Sequence, residues 1–586
     1  MEAASPRPPV DGPAGELAAL ARDYLDDLAE RHPDAATDLG DHRYDAHLPD
    51  LSPGALDDER RALAGFTRRA RALAAGPAGA GPAGDGPAGE GPAGGDTAGS
   101  LTAEQRVDVA LLAGRVELRL LELDELREHA WNPLLANPGH AIYALLARDF
   151  APLPDRLGAV AGRLSQVPAL LAAARAHLAT MPRVHLETAI GQFDGTIKLV
   201  GDAIDTALGI DTALAGGSGA RASLVAAIDQ VRPAALEALA AHRDWLSARL
   251  AEGRAGGGFA EPRLGPERFA RKLALTLQAE ADSGAILARA EADLGRITAE
   301  ITELAATIGG TPREVLGRLA ADAPDGATIL RFCGQALAAQ SAFVRDHDLV
   351  TVYDDPVEVI DMPEIDRGVS VAYCDAPGPL EAAALATFIA VSPVPADWSA
   401  ERGASFYREY NRHMVHNLMV HEAMPGHYLQ FAHARRFTGS GTDLRAALWS
   451  GAFVEGWAVY TEELMAARGY PGEGDPRAVR MQQLKMQLRT TINAILDARV
   501  HAYGMTEDEA MALMTGRGLQ EEGEAAGKWR RALLTSGQLS TYYVGYREIA
   551  DLARELLAAP GATERAVHDR LLAHGSPPVR LLRSVI

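Results

Sequence analysis

The chain is poor in the residues that would define it by covalent cross-links or by positive charge. Among 586 residues there are only two cysteines, Cys333 and Cys374. Two cannot staple a chain of this length, and neither stands in a metal-ligand spacing, so a disulfide scaffold and a cysteine-based metal site are excluded. Both thiols are read as idle or buried. Lys and Arg number 57 against 79 Asp and Glu, a formal net charge of −22. Nucleic-acid phosphates need clustered Lys and Arg, so no nucleic-acid partner is expected. Aromatics make up 5% of the chain, which suits helix packing by Leu, Val and Ala. No run of roughly 18 uncharged apolar residues offers a membrane span. The first residues, Met1 to Pro9, lack the apolar core of a signal peptide. No membrane partner and a cytoplasmic location are the resulting expectations.

What is present is helical. With 47% hydrophobic residues the chain can bury a large core or several. Helical spacing runs through Glu16 to Glu30 and Asp57 to Ala75, which form an N-terminal helical segment (1–75) expected to pack on the main body. Four Gly-Pro-Ala-Gly units follow, starting at Gly76, Gly81, Gly86 and Gly91. A period of five excludes collagen, and such a stretch buries little apolar surface, so 76–100 is read as a flexible insertion. From Leu101 the apolar residues Val109, Leu112, Val116, Leu120 and Leu123 step by three and four, marking one helix face. Further helical segments reach Ala321 and define a helical lobe over 101–348. At 349–400 the pattern changes to short β-prone runs, Val350 to Val352, Val357 to Ile360, Ser370 to Tyr373 and Thr387 to Val391, read as a small sheet. Helices resume over 401–586, and this last region carries the chemistry.

The informative stretch is His421-Glu422-Ala423-Met424-Pro425-Gly426-His427, followed by Glu455-Gly456-Trp457-Ala458-Val459-Tyr460. A zinc hydrolase needs neutral imidazoles and a carboxylate on the metal, an open position, and a free carboxylate to take a proton from water. In the usual His-Glu-x-x-His pattern the histidines are four apart on one helix face. Here they are six apart, and six steps of about 100° leave His427 roughly 120° from His421 on a straight helix. Pro425 removes the amide that would bond the His421 carbonyl, and Gly426 permits unusual backbone angles. The helix is therefore expected to break or bulge at Pro425-Gly426 and swing His427 back. His421 and His427 are the expected ligands and Glu422 the general base. His413, His416 and His433 are read as solvent-facing or supporting histidines.

The run His-Glu-x-x-Pro-Gly-His-Tyr-Leu-Gln with Glu-Gly-Trp-Ala-x-Tyr-x-Glu resembles a large bacterial family catalogued as a domain of unknown function, number 885. Ala36 to Gly40, Arg43-Tyr44-Asp45, Arg263-Leu264-Gly265 and Tyr542-Tyr543-Val544-Gly545 fit it too, so the likeness spans almost the whole chain. The family's site is similar to that of gluzincin-type zinc peptidases such as helical oligopeptidases and thermostable carboxypeptidases. The resemblance implies a mainly α, zincin-like fold, with two helical lobes around a cleft and a small antiparallel β-sheet next to the metal motif. It also implies an edge strand that holds an extended peptide, for which Thr387 to Val391 is the candidate; an internal strand without a ligand is the alternative.

The same resemblance makes Glu455 the third ligand of one Zn2+ per chain. Glu462 lies seven residues further, about 700° of helix turn, nearly on the same face. From there it can accept the outer N–H of a ligating histidine. Glu463 faces elsewhere and is read as solvent-exposed. Trp457 and Tyr460 are read as core. Helical zinc peptidases bring a late tyrosine or histidine over the metal to steady the oxyanion, which points to Tyr543 and His501, then Tyr542; core packing is the alternative for each. Arg489 and Arg547 could anchor a substrate carboxylate or form structural ion pairs.

The leading functional expectation is a zinc metallohydrolase that cleaves small peptides. The same site could serve a non-peptide amide of a metabolite, because the motif sets the reaction type and not the substrate. Two histidines and one carboxylate also suit iron. A metal-stabilised binding protein without turnover is the reading from another class, and Glu422 argues against it, since a structural site has no use for a base.

Overall fold

The computed structural model describes residues 12–75, 100–206, 218–279, 282–362, 372–394 and 398–586. The Gly-Pro-Ala-Gly repeats lie outside them. Helix formation follows the local chemistry read from the sequence. Ser283–Ile308 is capped by the Asp282 side chain, which accepts from the Ala285 amide, and it stops at Gly309 in a left-handed conformation. Its Ile286, Ala290, Leu294, Ile297, Ile301 and Ala305 recur every three or four residues and are buried. That stripe shares a core with Met481, Leu484, Leu488, Ile492 and Ile495 of a later helix.

The N-terminal helices Pro13–Arg31, Pro53–Ala75 and Ala103–Leu121 share a core that also takes in Leu444 and Leu448, which ties the start of the chain to the metal region. A second core is built by Leu153–His177, Arg183–Lys198 and Ser218–Glu252. By length and composition Leu153–His177 is long and apolar enough to cross a membrane, although Arg156, Arg163 and Arg175 keep every uncharged run within it short. In this fold its Leu157, Val160, Leu164, Val167 and Leu171 are fully buried in that second core.

Three strands form one mixed sheet, β1 (Val357–Asp361), β2 (Ala372–Asp375) and β3 (Thr387–Val391), in the order β1-β3-β2. β3 pairs parallel with β1, from Val357 against Thr387, and antiparallel with β2, from Ala372 against Val391. Two expectations are corrected here. The sheet is mixed rather than antiparallel, and Thr387–Val391 is the central strand rather than an edge, since both of its sides carry a neighbour. The run Val350 to Val352 is not a strand either; the Thr351 amide and hydroxyl bond the Asp569 carboxylate instead.

The N-terminal region holds the connection between β2 and β3. Arg148 donates to the carbonyls of Ala386 and Asp375, pairs with the Asp375 carboxylate, and lies 4.5 Å over the Phe388 ring. His42 bridges Asp45 and Glu381, at 3.0 and 2.8 Å. At Gly40 a Cβ would stand 2.5 Å from the Glu381 amide nitrogen, so this contact requires glycine.

Six helices build the site: α1 (Arg412–Glu422), α2 (His427–Ala434), α3 (Gly451–Ala467), α4 (Pro476–Tyr503), α5 (Glu522–Leu534) and α6 (Gln538–Leu557). α3 and α6 touch backbone to backbone at Gly456 and Gly545. A Cβ on Gly545 would stand 1.7 Å from the Ala452 carbonyl oxygen, and one on Gly456 2.2 Å from the Gly545 carbonyl carbon.

Candidate metal centre

α1 ends at Glu422 and α2 begins at His427, so the helix breaks where Pro425 and Gly426 stand. The expected role of Gly426 needs refining. Its φ is −74°, and glycine is required by close approach: a Cβ there would lie 2.0 Å from the His421 carbonyl oxygen and 2.3 Å from that of Val420. The Gly426 amide closes the break by bonding the Val420 carbonyl at 3.0 Å. The indole N–H of Trp457, fully buried on α3, donates to the Pro425 carbonyl at 2.9 Å. Trp457 is core as expected, and it also holds the turn.

The break turns the two imidazoles toward each other, with ring centroids 4.8 Å apart and planes at 85°. Glu455, on the first turns of α3, completes a group whose ligand atoms all lie within 4.8 Å of one another. Its Oε2 is 3.5 Å from His421 Nε2 and 3.6 Å from His427 Nε2. Tetrahedral zinc with bonds of about 2.0–2.2 Å spaces its ligand atoms about 3.3–3.6 Å apart. Glu455 Oε2 and His427 Nδ1 are buried and have no hydrogen-bond partner. Donor identity, spacing and orphaned atoms all fit a divalent cation held by His421, His427 and Glu455.

The field at this point is negative. Burial alone would strip the proton from His421, but the carboxylates of Glu455 and Glu462 overcome it and hold its pKa well above the ordinary histidine value. Burial would likewise raise Glu455, and the two imidazoles instead hold it far below the carboxylate range. Glu462, one of the most buried carboxylates of the chain, lies 2.7 Å from His421 Nδ1 and accepts from the Asn417 amide at 2.7 Å. Asn417 was not singled out from the sequence, although its place four residues before His421 puts it on the same helix face.

Glu422 lies beside the candidate ligand group without belonging to it, close enough to feel His421, His427 and Glu455. Its Oε2 accepts the Cys374 backbone N–H at 3.0 Å, so its anchor is β2, the strand at the edge of the sheet. Burial pushes its pKa up, against the pull of His421 and His427.

Of the late residues, only Tyr542 reaches this neighbourhood: burial and the Glu455 carboxylate raise its pKa, and its hydroxyl receives bonds from Arg531 at 3.0 Å and Gln538 at 3.4 Å. Two expectations fail here. Tyr543 turns one step around α6 into the core and donates to Asp293 at 2.8 Å. His501 is tied at Nε2 to the carbonyls of Ala532 and Thr535, 2.9 and 2.8 Å away, and stacks on Phe269. Its neighbour Asp497 accepts from the amides of Gly537 and Ser540. The pair fixes the junction of α5 and α6 and so aims Tyr542.

Of the other residues, Glu463 and two of the histidines differ from their sequence reading, whereas Tyr460 is core as read and Arg547 takes the ion-pair alternative. Glu463 is half-buried and accepts from Tyr546 at 2.6 Å. His416 is buried between Tyr470 and Glu473, and His433 bonds the Thr351 carbonyl, so neither faces solvent. Tyr460 is buried and bonds His568 at 2.8 Å. Arg547 sits among Asp293 and Asp551, a structural ion pair.

Among solved structures, the chain is similar to one from Shewanella oneidensis described as a "putative lipoprotein of unknown function", at 27% identity and TM-score 0.78 over 97% of this chain and 99% of that one. It is also similar to a "putative lipoprotein" from Colwellia psychrerythraea, at 17% identity and TM-score 0.76 over 98% and 99%. No curated protein matches the chain. The two descriptions overturn the cytoplasmic expectation, because a lipoprotein is held at a membrane by its lipid. The family is shown directly: a single family model matches residues 33–586, and the chain belongs to the family described as "Bacterial protein of unknown function (DUF885)".

Proposed function

We propose that this protein is a zinc-dependent hydrolase of zincin type that cuts amide bonds in small peptides. One observation carries the reading. Glu422 lies at the end of the helix that supplies His421, outside the candidate ligand group and bonded to the edge strand β2, an arrangement that supports a base serving water at the metal. A structural metal site has no use for such a group.

A bound divalent ion would acidify water and polarise a substrate carbonyl. The chain's own residues would do the rest. Glu422 would take a proton from the attacking water and return it to the departing amine, turning from base to acid within one cycle. Tyr542, with its hydroxyl held by Arg531 and Gln538, would donate to the oxygen that becomes negative. Glu462 would keep His421 in one tautomer and orientation. The substrate backbone would lie along β2, whose Cys374 amide already faces Glu422. Phe431 stacks near His427, and Trp449, about half exposed, lies against Phe431, which together would offer a platform for an apolar side chain.

The test is a mixed peptide library incubated with purified protein, after chelation, and after zinc is restored. The expected result is cleavage that disappears with the chelator and returns with zinc. Cleavage indifferent to the chelator, or none with full zinc, contradicts the proposal.

A further inference from the structure

Beside Glu455 stands a group of charged side chains that the metal chemistry does not use. α4 presents Lys485 and Arg489 one turn apart, and α5 presents Glu524, Lys528 and Arg531 at spacings of four and three. Lys485 pairs with Glu409 at 2.6 Å, and Arg489 pairs with Glu524. Glu524 also attracts Lys528, though no ion-pair contact joins them among the described residues. Lys528 is only 6% exposed, and among the described residues its ammonium has no hydrogen-bond or ion-pair partner. Arg531 donates to the Gln538 side-chain carbonyl at 2.9 Å and to the Tyr542 hydroxyl, both neutral. Lys485, Arg489, Lys528 and Arg531 thus share Glu409 and Glu524 in a partly buried wall, with the candidate ligand Glu455 the next carboxylate near Lys528.

An ammonium removed from water without a counter-charge is strongly disfavoured. Burial, then the neighbouring Arg489 and Arg531, drive the Lys528 pKa well below the ordinary lysine value. Tyr542 stands one turn before Gly545, whose backbone meets Gly456 next to Glu455, so this wall adjoins the candidate metal group. An anion arriving there would recharge Lys528, meet the forked donors of Arg531, and lie next to the group proposed to steady the oxyanion. Carboxylate is the anion a peptide carries.

We propose that Lys528 and Arg531, with Tyr542 beside them, form a subsite for a carboxylate of the substrate, so that the preferred peptides carry a free carboxylate close to the bond that is cut. The inference rests on the hydrolase reading and names its substrate class.

The probe is a tripeptide library made twice, with free and with amidated C-termini. It is offered by equilibrium dialysis to zinc-loaded Glu422→Gln protein and read by mass spectrometry. Free-acid peptides are expected to be retained about 10- to 100-fold better than amides, the worth of a hydrogen bond to a charged group. Lys528→Met should erase the preference and Lys528→Arg should keep it, each at unchanged zinc content. Arg531→Gln should weaken it, and this variant serves if Lys528→Met does not fold. Selective retention of those amidated peptides that contain Asp or Glu would assign the carboxylate to a side chain rather than to the chain end. Equal retention of all classes, or a preference that survives both Lys528→Met and Arg531→Gln, overturns the subsite. Hydrolysis by the wild type is read separately. Retention of free acids without hydrolysis would remove the hydrolase reading and leave the subsite. Hydrolysis of acids and amides alike would remove the subsite and leave the hydrolase.

Discussion

Nδ1 of His421 lies 2.7 Å from Oε1 of Glu462, seven residues beyond Glu455 on the same helix. One helix thus carries both Glu455 of the candidate metal group and the support of His421, so α1 and α3 are mechanically one unit. Glu462→Gln keeps the shape but removes the charge that orients His421. The expected outcome is zinc affinity lower by about 10- to 100-fold with helix content unchanged, measured by competition with a chromophoric chelator. Unchanged affinity would make Glu462 a packing group only.

The break between α1 and α2 depends on a missing side chain. In Gly426→Ala the added methyl would meet the His421 carbonyl oxygen at 2.0 Å, and backbone cannot step aside as a flexible side chain can. A loss of at least about 1–3 kcal/mol is expected, together with loss of zinc from whatever protein folds. Denaturation and elemental analysis of the same preparation check both parts.

Tyr542 and Tyr543 are adjacent yet face different surroundings. Tyr542→Phe should lower turnover by about 100-fold with zinc content unchanged, as expected for one lost oxyanion donor. Tyr543→Phe should leave turnover intact and lower stability by about 1 kcal/mol through the bond to Asp293. The reverse pattern would restore Tyr543 to the site.

These contrasts show what the sequence can reveal. The grouping of His421, Glu422 and His427 is legible because it is local, with the histidines flanking the glutamate and a proline between them breaking the helix, whereas Glu455 enters only by resemblance to the family. Choosing between Tyr542 and Tyr543 is a matter of about 100° around one helix, and the deciding partner, Asp293, stands 250 residues away. His501 was misread for a similar reason, since its partners are carbonyls at the end of α5. Strand order is not written in four short β-prone runs, so Thr387 to Val391 reads equally as an edge or an internal strand until the fold places it at the centre. Lys528 and Arg531 sit in Glu521-Glu522-Gly523-Glu524-Ala525-Ala526-Gly527-Lys528-Trp529-Arg530-Arg531, a composition that reads as a solvated face until the fold buries half of it.

The N-terminal region carries its own pH dependence. Burial would raise the Glu59 carboxyl, but a bond from His32 at 3.2 Å and bonds from Arg119 at 2.7 and 3.1 Å overcome it and hold its pKa at about 2 instead of 4.5. A carboxyl depressed in the folded state stabilises it above the unfolded pKa, and that stability is lost as pH falls from about 4.5 through 2. Glu59→Gln should therefore cost about 2–3 kcal/mol at pH 7 and almost nothing at pH 2. Urea denaturation at both pH values measures it; a penalty independent of pH would contradict the pairing.

The central claim is that Glu422 is the base of a metal-dependent hydrolysis and not a metal ligand. Its most direct measurement is the single-turnover rate of Glu422→Gln against the wild type, both at one zinc per chain, on a peptide the wild type cleaves. The account predicts a fall of at least about 10²–10⁴-fold with metal content and fold unchanged. A fully metallated Glu422→Gln protein that cleaves at the wild-type rate would contradict it.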